Sequence, residues 1–493
     1  MNVLFLAFEG ESIAIGALAK KFKETGDRVY VFNVDHWNIK YTKGQVFDFY
    51  RQKCGLSKEE FGHLGKFHEA INRFQETMPA SDVDWDFLRD FEQNYLPSDT
   101  SIQKVFSTDT LFYRVYHHRD MYYIPDNKNI FFKAAELLAK DARKLYDEFA
   151  PDFVFSIQNQ YALKFLFFQM SRKKSKLYLN YFVSRIQEKW IFTTSFHVGT
   201  CPLIVKRIEE RIATNQQTDG ARQFAALLKT KLKTAYVSYE PILNALSNDF
   251  KVGVRVKRAI GLIRYFSTLY LRGMVTSYRG LLKKDYFEPG FSDIIRLEFR
   301  GIARMYAYCI NKLLNNTTLP QATFIYFTLH LMPESATSTM ADTLNELECI
   351  YQLSLVIPVD WKIVVKINPS MLQAIDTHPN SYYMQIQKIP SVWFVHAQFP
   401  SLEIIRQSQA VACLAGTSLL EGVLMGKPGI SWGKPEFNWI SGIHQFADGD
   451  IMNKIRQPVN TDKAFQYVQY CLDEGTDFDL EKMRYSIHDF GKE

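Results

Sequence analysis

Nothing in this sequence pairs its cysteines. Cys54, Cys201, Cys309, Cys349, Cys413 and Cys471 lie far apart, and no Cys-x-x-Cys occurs. That scatter excludes a cysteine zinc site and a disulfide framework, and suits a reducing compartment. No run of about 18 uncharged apolar residues is present, so no membrane-spanning helix is expected. Residues 1–8 lead straight into a strand-like segment, without the basic region and cleavage site of a secretory signal, and a cytoplasmic protein is expected. Internal repeats and low-complexity tracts are also missing.

What remains is an ordinary globular composition, 47% hydrophobic and 23% charged, spread over 493 residues. That length exceeds what one core usually supports, so two domains are expected. Aromatics reach 15%, which suits sugar stacking but is more commonly a matter of packed cores. Residues 2–8 read as a buried strand, 13–25 as a helix stopping at Gly26, and 28–34 as a second strand. This βαβ opening places residues 9–12 at the carboxyl end of the first strand, where open α/β sheets bind ligands. Residues 45–150 read as a helical insertion with no clear strand. Strands resume at 152–156 and 176–183, and 205–235 is helical and highly charged.

From residue 323 strands and helices alternate crisply. Strands are expected at 324–329, 361–366, 392–395, 410–414 and 429–432. Helices are expected at 342–357, 401–408 and 417–425. Such alternation means a parallel sheet covered on both faces. The expected organisation is an α/β fold of two Rossmann-like domains: 1–300 with the insertion, 301–475, and a closing helix over 476–493 that returns to the first domain.

Three constellations sit at expected strand ends. The first is Leu414-Ala415-Gly416-Thr417-Ser418-Leu419-Leu420-Glu421, followed by Gly426-Lys427-Pro428. Gly416 permits close backbone approach, and the helix starting near Thr417 would direct free N–H groups at an anion such as a nucleotide phosphate. Glu421, one turn on, is placed for a ribose hydroxyl. An ordinary capped helix is the plainer alternative. The second is Leu329-His330-Leu331-Met332-Pro333-Glu334, where Glu334 would otherwise cap the next helix. The third delivers Lys366, Asn368 and Ser370 to the same edge.

In order and spacing these blocks resemble the C-terminal domain of bacterial capsular polysaccharide biosynthesis glycosyltransferases, including the Kdo transferases, over residues 320–445. Leu329-His330-x-x-Pro333-Glu334, Lys366-x-Asn368-Pro369, Gly416-Thr417-x-x-x-Glu421 and Gly426-Lys427-Pro428 carry the likeness. Met332 stands where that family has Gln, and Asn368 where it has His. Asn donates a hydrogen bond but cannot be a cation, which points away from a CMP-sugar donor. The resemblance implies the GT-B arrangement and transfer from a nucleotide sugar (CMP-Kdo-like, or a UDP- or GDP-sugar) to a glycan or lipid-linked acceptor. It implies no cofactor and no resident metal, since helix N-termini and basic groups neutralise the leaving nucleotide. Lys366, Asn368, Ser370, Gly416, Thr417, Ser418 and Glu421 are then the donor-site candidates. Glu334, His330 and Glu9 are the catalytic ones, with Glu11 beside Glu9.

Other features are weighed separately. Asp82-Val83-Asp84-Trp85-Asp86 resembles a metal-binding Asp-x-Asp, but it precedes a helical pattern and reads as a cap. His117-His118-Arg119-Asp120 reads as an exposed patch. Residues 251–284 hold nine Lys or Arg and no Asp or Glu. A basic amphipathic segment suits an anionic inner-membrane surface, a solvated helical face is equally in keeping, and no nucleic-acid module accompanies it. Two rival readings stay open: a sugar-nucleotide 2-epimerase, and a catalytically silent scaffold of a polysaccharide assembly complex.

Overall fold

The computed structural model describes residues 1–7, 11–33, 43–63, 83–107, 129–158, 162–187, 189–196, 201–231, 253, 256–257, 260–261, 316–330, 339–341, 345–368, 380–395 and 399–477. The chain opens with β1 (Asn2–Ala7), α1 (Glu11–Glu24) and β2 (Arg28–Asn33). In β1 every residue from Val3 to Ala7 is buried. Alternate side chains enter different cores, Leu4 and Leu6 on one face and Val3, Phe5 and Ala7 on the other. A strand buried on both faces needs such an unbroken apolar run.

The expected insertion contains α2 (Lys43–Gln52), β3 (Phe61–His63), α3 (Trp85–Tyr95), α4 (Ile102–Ser107) and α5 (Asn129–Phe149). The strand β3 corrects the expectation that this segment holds no clear strand: it pairs with β2 and forms the sheet edge. Asp84 caps α3 as expected, accepting from the Phe87 amide at 3.0 Å. It also pairs with Lys140 of α5 at 3.1 Å, so the Asp-x-Asp pattern is a helix start. Asp82 and the 117–120 patch lie outside the described residues.

The first domain continues with β4 (Phe153–Ile157), α6 (Ala162–Lys173), β5 (Leu177–Val183) and β6 (Trp190–Thr193). Its six-stranded sheet runs β3-β2-β1-β4-β5-β6, parallel except for the last pair. The expected charged helical stretch is two helices, α7 (Pro202–Ala213) and α8 (Asp219–Lys231). The basic segment and the boundary at residue 300 fall almost wholly outside the described residues.

The second domain comprises β7 (Phe324–Thr328), α9 (Glu346–Ser354), β8 (Lys362–Lys366), α10 (Asn380–Gln387), β9 (Val392–Val395), α11 (Ser401–Gln407) and β10 (Ala410–Cys413). It goes on through α12 (Ser418–Leu424), β11 (Gly429–Ser431), β12 (Ile443–Gln445), α13 (Ile451–Lys454) and α14 (Asp462–Glu474). Its sheet, β12-β11-β10-β7-β8-β9, is parallel throughout. Counted from its own first strand, each sheet has the order 3-2-1-4-5-6, the doubly wound Rossmann order. The expected fold, two Rossmann-like domains in the GT-B manner, is therefore present.

The two halves share a core. Phe182 of β5, Ile191 of β6, Ile204 and Ile208 of α7, and Phe224 and Leu228 of α8 belong to one cluster with Tyr326, Val411 and Tyr467. Trp190 and Thr476 exchange backbone hydrogen bonds at 2.9 and 3.0 Å, which ties the two residues after α14 to β6. Beyond Asp477 the expected closing helix lies outside the described residues. Among the described residues no helix is long and apolar enough to cross a membrane.

Candidate active site

In a doubly wound sheet the strand order reverses between the first and fourth strands, and the loops there part to leave a crevice. In the second domain those strands are β7 and β10. Thr328, Leu329 and His330 come off one, and Cys413 through Ser418 off the other. His330 is 7% exposed. Both its backbone N–H and its Nδ1 lie 2.9 Å from Glu346 Oε1 on α9. Glu346 is fully buried on the apolar side of its helix, in line with Cys349, Ile350 and Leu353. Asn345 accepts from the Glu348 amide and starts α9 there, later than the expected residue 342.

The opposite ring nitrogen, His330 Nε2, is buried and has no hydrogen-bond partner among the described residues. It faces the start of the next loop: a Cβ on Gly416 would stand 3.0 Å from Nε2 and 3.2 Å from Cys413 Sγ. Burial works against charge on this imidazole, but the Cys413 sulfur and the Glu346 carboxylate beside it carry its pKa up to about 10. Its Nε2 side thus stands against the Cys413 sulfur and the Gly416 backbone. The Gly416 amide in turn donates to Cys413 Sγ at 3.1 Å, and the hydroxyls of Thr328 and Ser418 meet at 3.0 Å. Thr417 occupies the cap position of α12 and its side chain makes no capping bond.

A second polar group lies on the other face of the same sheet. Lys366, at the end of β8, donates to Ser401 Oγ at 2.7 Å, and the Tyr326 hydroxyl donates to the same oxygen at 3.3 Å. Lys366 is 8% exposed. Burial lowers its pKa to about 8, and only the nearby Glu421 carboxylate opposes that fall. Glu421 itself is 5% exposed, on the inner side of α12.

The structure thus brings His330 against Gly416 and Ser418, and Lys366 towards Glu421. Asn368 is half-buried two residues past β8. Glu9, Glu334 and Ser370 lie outside the described residues. Glu11, the alternative to Glu9, is the first residue of α1 and is 2% exposed. Lys164 reaches its two oxygens at 3.0 and 2.7 Å and also donates to the Ile157 carbonyl. That buried ion pair sits at the switch point of the first sheet, between β1 and β4.

Sequence reasoning missed Glu346, Cys413, Ser401, Tyr326 and Thr328. Glu346 had a readable signal: a lone carboxylate at i with apolar residues at i+3, i+4 and i+7 is on the buried face of its helix and needs a partner.

No family model and no curated protein matches the chain. Solved structures with similarity include the beta Kdo 2,4 transferase KpsC of Thermosulfurimonas dismutans, at 10% identity and a TM-score of 0.37, covering 64% of this chain and 79% of that one. The Anabaena protein Alr3699/HepE, solved with UDP and glucose, is similar at 10% identity and a TM-score of 0.22, covering 100% of this chain and 99% of that one. The UDP-GlcNAc 2-epimerase of Neisseria meningitidis is similar at 11% identity and a TM-score of 0.18, covering 87% and 82%.

Proposed function

We propose that this chain is a glycosyltransferase that moves a sugar from a nucleotide-sugar donor to a growing bacterial surface polysaccharide or lipid-linked glycan. The observation that carries the reading is His330. An imidazole buried at the switch point of a Rossmann sheet, and held protonated by the Cys413 sulfur and the Glu346 carboxylate, stands against the Gly416 backbone. An anion is the natural occupant. Breaking the bond between sugar and nucleotide loads negative charge onto the departing phosphate, and a preorganised cation with a neighbouring helix start stabilises it without a metal.

The remaining roles follow from the chemistry. Glu421 is assigned to the ribose and Asn368 and Ser370 to the donor's polar groups. The acceptor hydroxyl loses its proton to a carboxylate, for which Glu334 and Glu9 are the candidates in an inverting transfer. In a retaining transfer Glu334 would attack the anomeric carbon instead. The basic segment 251–284 would hold the enzyme against the anionic inner membrane surface on which lipid-linked acceptors are presented.

The test is thermal unfolding with CMP, UDP, GDP and dTDP nucleotides, since a ligand bound only by the folded state raises its apparent stability. One nucleotide should raise Tm, and His330→Gln should abolish that rise. If no nucleotide shifts the wild type, the transferase reading fails and the scaffold alternative takes its place.

A further inference from the structure

A second buried acid stands away from the His330 site. Glu436 follows β11 in the loop at the carboxyl edge of the second sheet and is 1% exposed. Neither carboxylate oxygen has a hydrogen-bond partner among the described residues. The nearest cation comes from the other domain: Arg185 Nε, in the turn between β5 and β6, lies 3.5 Å from Glu436 Oε1. The other groups facing Glu436 belong to α14, where Tyr467 and Cys471 are both fully buried. The Tyr467 hydroxyl is turned to the Cys471 sulfur. Among the described residues nothing therefore hydrogen-bonds this carboxylate, and a buried anion left without donors is costly.

The turn that carries Arg185 is also where the domains join. Trp190 bridges Thr476, Lys189 Nζ lies 2.8 Å from Asp477, and the Tyr181 hydroxyl meets that of Thr476. Docking of the β5–β6 turn brings Arg185 against Glu436, the cation that offsets its charge among the described residues. Undocked, the carboxyl would be hydrated and would titrate like any exposed glutamate.

We propose that Arg185 and Glu436 form a proton-linked latch, in which docking of the first domain's β5–β6 turn onto the second domain draws a proton onto Glu436 and undocking releases it. Burial pushes the Glu436 carboxyl above the usual glutamate range, and Arg185 pulls it only part of the way back. The sign follows. Between the ordinary glutamate value and the raised docked value, the docked form holds a proton that the open form has lost. Docking is then strongest at low pH and weakens up to tenfold per pH unit as pH rises through that window, staying level on either side.

The test uses the full chain and hydrogen–deuterium exchange, corrected for the intrinsic pH dependence of exchange. It follows the amides of Trp190 and Thr476, which bond to each other across the junction. Their protection should fall as pH rises from the glutamate range, while that of β1 stays constant. Glu436→Gln should keep the junction protected and remove the dependence. Arg185→Met should lose protection at neutral pH and recover it in acid. A flat wild-type profile would overturn the latch. So would a Glu436→Gln profile that follows the wild type, or protection in Arg185→Met equal to the wild type at every pH. None of these outcomes depends on nucleotide binding, so the latch and the transferase reading stand or fall separately.

Discussion

His330 and Lys366 are both buried cations at one sheet edge, and burial acts on both in the same direction. Their partners separate them. His330 has the Cys413 sulfur and the Glu346 carboxylate against it and keeps its proton up to about 10, whereas Lys366 has a hydroxyl in contact and loses it near 8. The favourable energy of the His330–Glu346 pair is complete below the ordinary imidazole value and is lost as pH rises through about 10. Under the proposed function, phosphate binding at Gly416 should accordingly be level across neutral pH and weaken only towards pH 10, which calorimetric titration of the active nucleotide would check. Lys366 works in the reverse sense: its buried charge costs stability until it deprotonates. Stability should rise between pH 8 and the ordinary lysine range, by at most about 3 kcal/mol, and Lys366→Met should erase that rise in urea unfolding. The Glu11–Lys164 pair calls for a two-step comparison. Lys164→Met alone strands a buried carboxylate and should cost about 3–5 kcal/mol, most of which the further change Glu11→Leu should restore. Residues like these were legible as candidates when they ended a strand run, as His330 and Lys366 do. Their partners were not, because Glu346 and Ser401 reach the site from helices whose distance along the chain says nothing about contact.

Helix α12 lies so close to β10 that side-chain volume is decided at a single position. A Cβ on Gly422 would come within 2.9 Å of Val411 Cγ2, below any normal carbon contact. Gly422→Ala should force the helix off the sheet and cost about 1–3 kcal/mol, seen as a lower Tm. A shift below half a kilocalorie would mean that the helix moves freely. Because α12 carries Ser418 and Glu421, the same variant should weaken nucleotide binding beyond its effect on stability. At this scale the sequence was a good guide wherever an apolar run was long. Strands β1, β2, β4 and β5 and most of the second domain follow from it directly. It was a poor guide for β3, β6 and β12, which are three or four residues long and lie outside the regular alternation that marked the equally short β9, β10 and β11. A strand that short shows no period, and its pairing partner, more than its own composition, makes it a strand.

At the scale of the molecule, α7 and α8 come directly after the first sheet yet pack on α14, the last described helix. Arg211 of α7 reaches Gln466 at 3.2 Å and Asp473 at 2.5 Å, and the Ala221 amide of α8 donates to Gln469 at 3.0 Å. Removing residues 462–493 should therefore unsettle both halves. Loss of the cooperative thermal transition by calorimetry is the expected result, and a truncated chain that melts like the full one would contradict it. The paired α/β domains were legible in advance because alternating elements of that length mean a parallel sheet covered on both faces. The shared core was not, since nothing in the pattern of 202–231 marks which sheet its apolar faces will meet. One consequence concerns time. As the chain leaves the ribosome, Ile204, Ile208, Phe224 and Leu228 emerge more than 200 residues before Tyr467 and Cys471, which cover them. Through most of synthesis these apolar faces wait in water, and the nascent protein must rely on chaperones or on provisional contacts until α14 arrives.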